Sequence, residues 1–194
     1  MSPHLRKKIA QRYAQKFSPL EYHYKTLFSY LKPTNLFKKL RLGFLSYDFN
    51  DHPTAHLSEG LFFWNNLSMT ASVSSVEFAA YNYGKNDNST YRKNIESYVG
   101  GMAEKGGNFF DLSTLSHEQI IRIIRNDKPH ILFDMQGFTH GARPEIHSRR
   151  VAPIQISFLG MFSFLREKKK SCERFAYKLF VFLYSFLIFL LLKK

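Results

Sequence analysis

His52 and His56 stand four residues apart in DFNDHPTAHLSEG, residues 48–60, with Pro53 between them. Four residues is about one helical turn, so both imidazoles share a face if a helix opens here. Imidazoles so placed suit zinc ligation, proton transfer, or no task beyond starting a helix. Zinc fits poorly: HPTAH lacks the glutamate that follows the first histidine in metalloproteases, and no third ligand is indicated nearby. No metal is expected. A serine triad has no G-x-S-x-G elbow, and Ser46 and Ser58 stand in no diagnostic context. A dinucleotide site calls for G-x-G-x-x-G after the first strand, where LGFLSYDFNDH has a single glycine.

Proton transfer survives this comparison. In open α/β sheets, ligands collect beyond the carboxyl ends of the strands, in the strand-to-helix loops. His52 falls in such a loop, and GFTHGAR, residues 137–143, falls in another. Two glycines there, Gly137 and Gly141, let backbone amides approach a ligand, and Arg143 can pair with a carboxylate or phosphate. A loop histidine with a purely structural task fits the same pattern.

The elements that must position these residues alternate in type. LRLGFLSYDF reads as a buried strand, and the residues from Pro53 read as a helix with Leu57, Leu61 and Trp64 on its apolar face. SVEFAAYNY is a second strand, GKNDNST a loop, and YRKNIESYVGGMAEKG a helix weakened by Gly100 and Gly101. NFFDLS is a short strand. SHEQIIRIIRND is the clearest helix, with Ser116 and Gln119 at capping-box spacing and Ile120, Ile123 and Ile124 on one face. HILFDMQ and PIQISFLG close the series as strands around the loop GFTHGARPE. The alternation predicts an α/β domain with a mainly parallel sheet over residues 40–160, in which His52 and Thr139 lie near each other. Ahead of it, residues 1–39 read as a helical leader; residues 4–17 carry Leu5, Ile9, Tyr13 and Phe17 at four-residue spacing.

A formal charge of +13, from 28 basic and 15 acidic residues, favours anionic partners in general. The excess sits in LRKK, LFKKLR, REKKK and the final KK, so it marks solvated flanks, and no nucleic-acid partner is expected. The single cysteine, Cys172, forms no intramolecular disulfide and fits a reducing compartment. No secretory signal is visible at the N-terminus. Residues 161–194 are basic and then greasy, with no charge from Leu179 to Leu192. Taken with Phe175 to Lys178, that run approaches the shortest membrane span. It reads either as a membrane anchor or as a chain end not shaped for this fold.

Three segments together, LRLGFLSYDFNDHPTAHL, HILFDMQGFTHGAR and APIQISFLG, resemble the catalytic region of protein O-linked N-acetylglucosamine transferases, in the family's order. The resemblance covers roughly Leu40 to Gly160. It implies the Rossmann-like N-terminal lobe of a GT-B glycosyltransferase, transferring N-acetylglucosamine from UDP-GlcNAc to Ser/Thr hydroxyls of proteins, with no cofactor or metal. By the resemblance His52 is the active-site histidine of an H-P-T-x-H motif, and His56 supports it. Gln136, Thr139, Gly141 and Arg143 fall in the second motif, where Gln136 replaces the family's usual asparagine. The SPINDLY-type O-fucosyltransferases share the fold but do not normally keep the histidine pair. The family continues into a second lobe that carries most nucleotide contacts and a lysine steadying the leaving diphosphate. Here the pattern stops after Gly160, and no tetratricopeptide repeats precede it. The expectation is therefore half of a two-lobed enzyme, inactive alone, or else a non-catalytic, membrane-tethered or partner-binding remnant. The family's location implies cytoplasm or nucleus, with membrane association if residues 175–192 are an anchor.

Overall fold

The computed structural model describes residues 4, 5, 8, 40–70 and 76–158. The chain divides into two compact units, Met1–Ser163 and Phe164–Lys194. The second unit, and with it the expected anchor, lies outside the described residues, as does nearly all of the leader. Among the described residues, no helix is long and apolar enough to cross a membrane.

Among the described residues there are five strands: β1 (Leu40–Ser46), β2 (Val76–Asn82), β3 (Phe109–Asp111), β4 (Ile131–Asp134) and β5 (Ile154–Ser157). Between them run α1 (Pro53–Thr70), α2 (Thr90–Tyr98), α3 (His117–Asp127) and α4 (Pro144–Ser148). The strands form one sheet in the order β3-β2-β1-β4-β5, and every pairing is parallel. Parallel sheets need both faces covered, which is why β1 and β2 run buried over their last five residues rather than alternating.

The two faces are filled differently. On one, Phe44, Phe62, Phe78 and Phe133 form an aromatic cluster, with Phe44 stacked on Phe133 at 5.0 Å and edge-on to Phe62 of α1 at 5.2 Å. Such pairs add about 0.5–1.5 kcal/mol each beyond the area they bury. On the other, Leu45, Ala79, Tyr81 and Leu132 pack with Ile120, Ile121 and Ile124 of α3 and Ile146 of α4. Neighbouring residues Phe44 and Leu45 thus point to opposite layers, as strand pleating requires.

Helix ends follow local chemistry. The Ser116 hydroxyl accepts from the Gln119 amide and the Gln119 side chain accepts from the Ser116 amide, completing the expected capping box of α3. Its buried stripe is Ile120, Ile121 and Ile124, with Ile123 only partly covered. In α2 the helix stops at Tyr98, ahead of Gly100 and Gly101 at φ 85° and 90°, a region that glycine enters without a Cβ penalty.

The face expected for α1 is corrected by the structure. Leu61 is buried, but Leu57 is 64% exposed and Trp64 39% exposed. The stripe against the sheet is Ala55, Ser58, Leu61 and Phe62. Small residues at 55 and 58 let the helix approach closely, and Ser58 satisfies its hydroxyl by donating to the Thr54 carbonyl at 2.8 Å. This helix has more apolar residues than inward positions, so apolarity alone does not fix its phase.

Candidate active site

Sheet order locates the site. From β1 the chain winds outward through β2 to β3, then α3 carries it back to β4 on the other side of β1. The order reverses between β1 and β4, the switch point beyond whose carboxyl edge open α/β sheets bind their ligands. The loop after β1 carries Asp48 and His52; the loop after β4 carries Gln136 to Arg143.

Gln136 joins the two loops. It is 1% exposed, and its Oε1 accepts from the Tyr47 amide at 3.2 Å and the Ser46 hydroxyl at 3.3 Å. Its Nε2 faces Asp48 Oδ2 at 2.8 Å, Thr139 Oγ1 at 2.7 Å and the His140 carbonyl at 2.7 Å. An amide donor on one side and a carboxylate on the other fix which end is oxygen. Thr139 also donates to the Gln136 carbonyl at 2.8 Å, closing the turn.

His52 sits directly ahead of α1. Its carbonyl accepts from His56 N–H, and its Nδ1 accepts from the Thr54 amide at 3.2 Å, so the ring caps the helix. The same Nδ1 is 3.5 Å from Asp48 Oδ2. His52 and Thr139 are therefore linked as expected, through Asp48 and Gln136. With its side chain 45% exposed, His52 combines a fixed ring with access from solvent, as a proton-transfer group requires.

His56 is held apart from this chain of contacts. Its Nε2 lies 2.8 Å from Asp51 Oδ1, and its ring stacks on Tyr91 of α2 at 3.9 Å between centroids. Asp51 in turn donates its amide to Asp87. Burial alone would raise the Asp87 carboxyl, but the Asp51 amide and the amide and hydroxyl of Ser89 hold it below the ordinary range.

The second loop is braced from beneath. Asp134, ending β4, accepts from the Gln136 and Gly137 amides at 2.9 and 3.0 Å and lies 3.6 Å from His147 Nε2. Burial would raise its carboxyl, yet His147 and the two amides outweigh burial and hold it low. Gly141, at φ +78°, has the Tyr47 ring where a Cβ would go, 2.6 Å from its Cγ. Arg143 donates to the Leu115 carbonyl at 2.9 Å and lies over the Tyr83 ring at 5.3 Å. Burial, then the charges of Asp134 and Asp48, push the Tyr83 phenol well above its usual range, so it stays neutral.

The structure thus gathers His52, Gln136 and Thr139 into one connected set, with Gly141 at its rim, while His56 and Arg143 are engaged elsewhere. Sequence reading missed Asp48 and Asp134. The signal for Asp48 was present, since it precedes His52 by four residues in the quoted stretch. Among the described residues, no group of three or more histidines, cysteines and carboxylates is placed to hold a metal.

Known proteins resemble this chain in sequence and in fold. The model of glycosyl transferase family 41 matches residues 1–164. An Arabidopsis thaliana protein named "Probable UDP-N-acetylglucosamine--peptide N-acetylglucosaminyltransferase SEC" is 38% identical over 124 residues, 64% of this chain and 11% of its own length. A Caenorhabditis elegans UDP-N-acetylglucosamine–peptide N-acetylglucosaminyltransferase is 34% identical, over 63% of this chain and 10% of its own. The chain thus spans about a tenth of these relatives. A solved structure of a mutant O-GlcNAc transferase from Thermobaculum terrenum shares the fold, with a TM-score of 0.59 and 18% identity over 80% of this chain and 26% of that one.

Proposed function

Because the chain belongs to glycosyl transferase family 41, we propose that it is the N-terminal half of the catalytic region of a protein O-GlcNAc transferase. The donor is UDP-GlcNAc and the acceptors are Ser and Thr hydroxyls of cytoplasmic or nuclear proteins. The observation that carries this reading is His52, fixed at the switch point of a parallel sheet and open to solvent.

The reaction forms a bond from the acceptor oxygen to the anomeric carbon and breaks the bond to the diphosphate, with inversion. The hydroxyl proton passes to a ring nitrogen of His52, and UDP leaves with the bonding pair. Proton removal by a positioned base contributes typically about 10²–10⁴-fold. Gln136, Thr139 and Gly141 shape the wall beside it, His56 and Tyr91 bound the opposite side, and Arg143 fastens the loop. No cofactor is required by this scheme.

Charge on the departing diphosphate calls for donors or cations aimed at it. A GT-B cleft lies between two lobes, and a one-sided cleft admits water that weakens such stabilisation. The isolated chain is therefore expected to transfer no sugar. Incubation of purified chain with labelled UDP-GlcNAc and a Ser/Thr peptide checks this. Peptide labelling that disappears in a His52→Ala control would mean that catalysis needs only this half.

A further inference from the structure

The outer face of α1 carries large apolar side chains into solvent. Leu57 is 64% exposed, Phe63 41%, Trp64 39% and Leu67 47%. Leu57, Gly60, Trp64 and Leu67 recur at three- and four-residue spacing, so they form one stripe about 15 Å long. Gly60 has nothing within 4 Å of the place a Cβ would take, which leaves room for a second helix to approach closely. Phe63 borders the stripe, edge-on to Tyr98 of α2 at 5.4 Å. Single exposed apolar residues are ordinary, whereas a contiguous stripe marks an interaction surface.

We propose that this stripe is the seat of the chain's own leader, residues 4–17, with Leu5, Ile9, Tyr13 and Phe17 laid against Leu57, Trp64 and Leu67. Three observations carry this. The first is shape: His4, Leu5 and Lys8 are helical, and in a helix the run from Leu5 to Phe17 presents an apolar stripe about 18 Å long, close to that of α1. The second is charge. Residues 4–17 hold Arg6, Lys7, Lys8, Arg12 and Lys16 and no carboxylate, whereas α1 has no Lys or Arg and carries Glu59. Asp51 and Asp87, joined through the Asp51 amide, add negative charge ahead of its first turn, so opposite charges meet when the two stripes do. The third is membership: the leader lies in the compact unit Met1–Ser163 and within the stretch matched by the family model, residues 1–164. The apolar run from Leu179 to Leu192 has no charge with which to select this face.

The docking does not rest on the proposed reaction. What it adds to that reaction is a brace: α1 opens at Pro53, and His52 caps it through the Thr54 amide, so a leader seated along α1 steadies the helix from which the ring is held. Failure of the docking and failure of the transfer chemistry are separate results, because docking is read on the chain alone.

Trp64 is the only tryptophan of the chain, so its emission and its quenching by acrylamide report on the stripe directly. In the full chain, Ile9→Glu and Tyr13→Glu should shift the emission to longer wavelength and raise quenching. Gln11→Glu, which brings the same charge to the opposite side of the leader helix, should do neither. Protected sheet amides in hydrogen exchange certify the fold of each variant. Equal behaviour of Ile9→Glu and Gln11→Glu with those amides protected overturns the proposal. So does protection of Trp64 that is lost on dilution, which would make a second copy the occupant, or protection that appears only with added lipid vesicles. Should Ile9→Glu disturb the sheet amides, a cross-link decides. Ile9→Cys with Gly60→Cys, in a Cys172→Ser background, should be joined within one chain by a short bis-maleimide, and absence of that intrachain product overturns the docking.

Discussion

The two edges of the sheet use polar residues in opposite ways. At the amino edge, Arg41 reaches Asp127 through two nitrogens at 2.6 and 2.8 Å, Glu77 at 2.8 Å and Asn108 at 2.9 Å. The Tyr81 hydroxyl donates to the same Asp127. Burial alone would lower the Arg41 guanidinium, but the Asp127 hydrogen bonds and charge raise it above its usual range, so it is always charged. At the carboxyl edge, Gln136 is as fully engaged, yet the chain of contacts ends at a half-exposed His52. An edge whose ionic groups are consumed by one another holds the fold. An edge that delivers one restrained, accessible ring is the edge to which the proposed chemistry is assigned.

The largest effect expected from this contrast is on stability at the amino edge. Asp127→Ala leaves Arg41 without its bidentate partner and Tyr81 without an acceptor, and should cost about 3–5 kcal/mol, read as a lower urea midpoint. A loss under about 1 kcal/mol, the range of exposed pairs, would place this network among ordinary surface bridges.

His52→Ala tests the other edge. In a chain extended through the second lobe it should lower turnover by about 10²-fold or more, while lowering stability by only about 1 kcal/mol for the lost helix cap. His56→Ala should lower turnover less, because His56 is engaged with Asp51 and Tyr91. Equal losses from the two would dissolve the distinction between them.

Gly141→Ala lies between the two kinds of effect. It forces a Cβ into the Tyr47 ring at a left-handed φ, and should cost about 1–3 kcal/mol. Replacing Tyr47 as well, with alanine, should relieve the steric part, as a double-mutant cycle reports.

The smallest expected effect is on acid stability. The Asp134 carboxyl is held below the range of an unfolded chain, so its contribution is complete above the ordinary Asp value near about 3.9 and fades as pH falls through its lower folded value. Asp134→Asn should flatten the stability profile in that acid window, as seen in urea midpoints taken from neutral pH downward. An unaltered profile would show that His147 and the two amides do not favour the charged form.

Much of this was legible beforehand because local rules carried it. The capping box of α3, the strand runs and the loop placement of His52 all depend on residues near in sequence, whereas the helix expected across YRKNIESYVGGMAEKG stops at Tyr98, because Gly100 and Gly101 end it rather than only weaken it. What escaped reading depends on residues brought together only by sheet order. Asp48 and Gln136 are 88 positions apart, and Arg41 and Asp127 are 86. The phase of α1 failed for a different reason. Its buried stripe relies on Ala55 and Ser58, whose small size suits close approach to the sheet, while larger apolar residues at 57 and 64 stay outside. Arg143 was read as an anion ligand, and its partners Leu115 and Tyr83 come from other segments.

On the proposed function, the carboxyl edge between β1 and β4 is half of a transferase site, with His52 as its proton acceptor. The most direct test is the rate of labelled N-acetylglucosamine transfer from UDP-GlcNAc to a Ser/Thr peptide, measured for the chain extended through the second lobe. Transfer by that longer chain is expected, with a loss of about 10²-fold or more in His52→Ala. Transfer at the unsubstituted rate in the folded His52→Ala protein would contradict it.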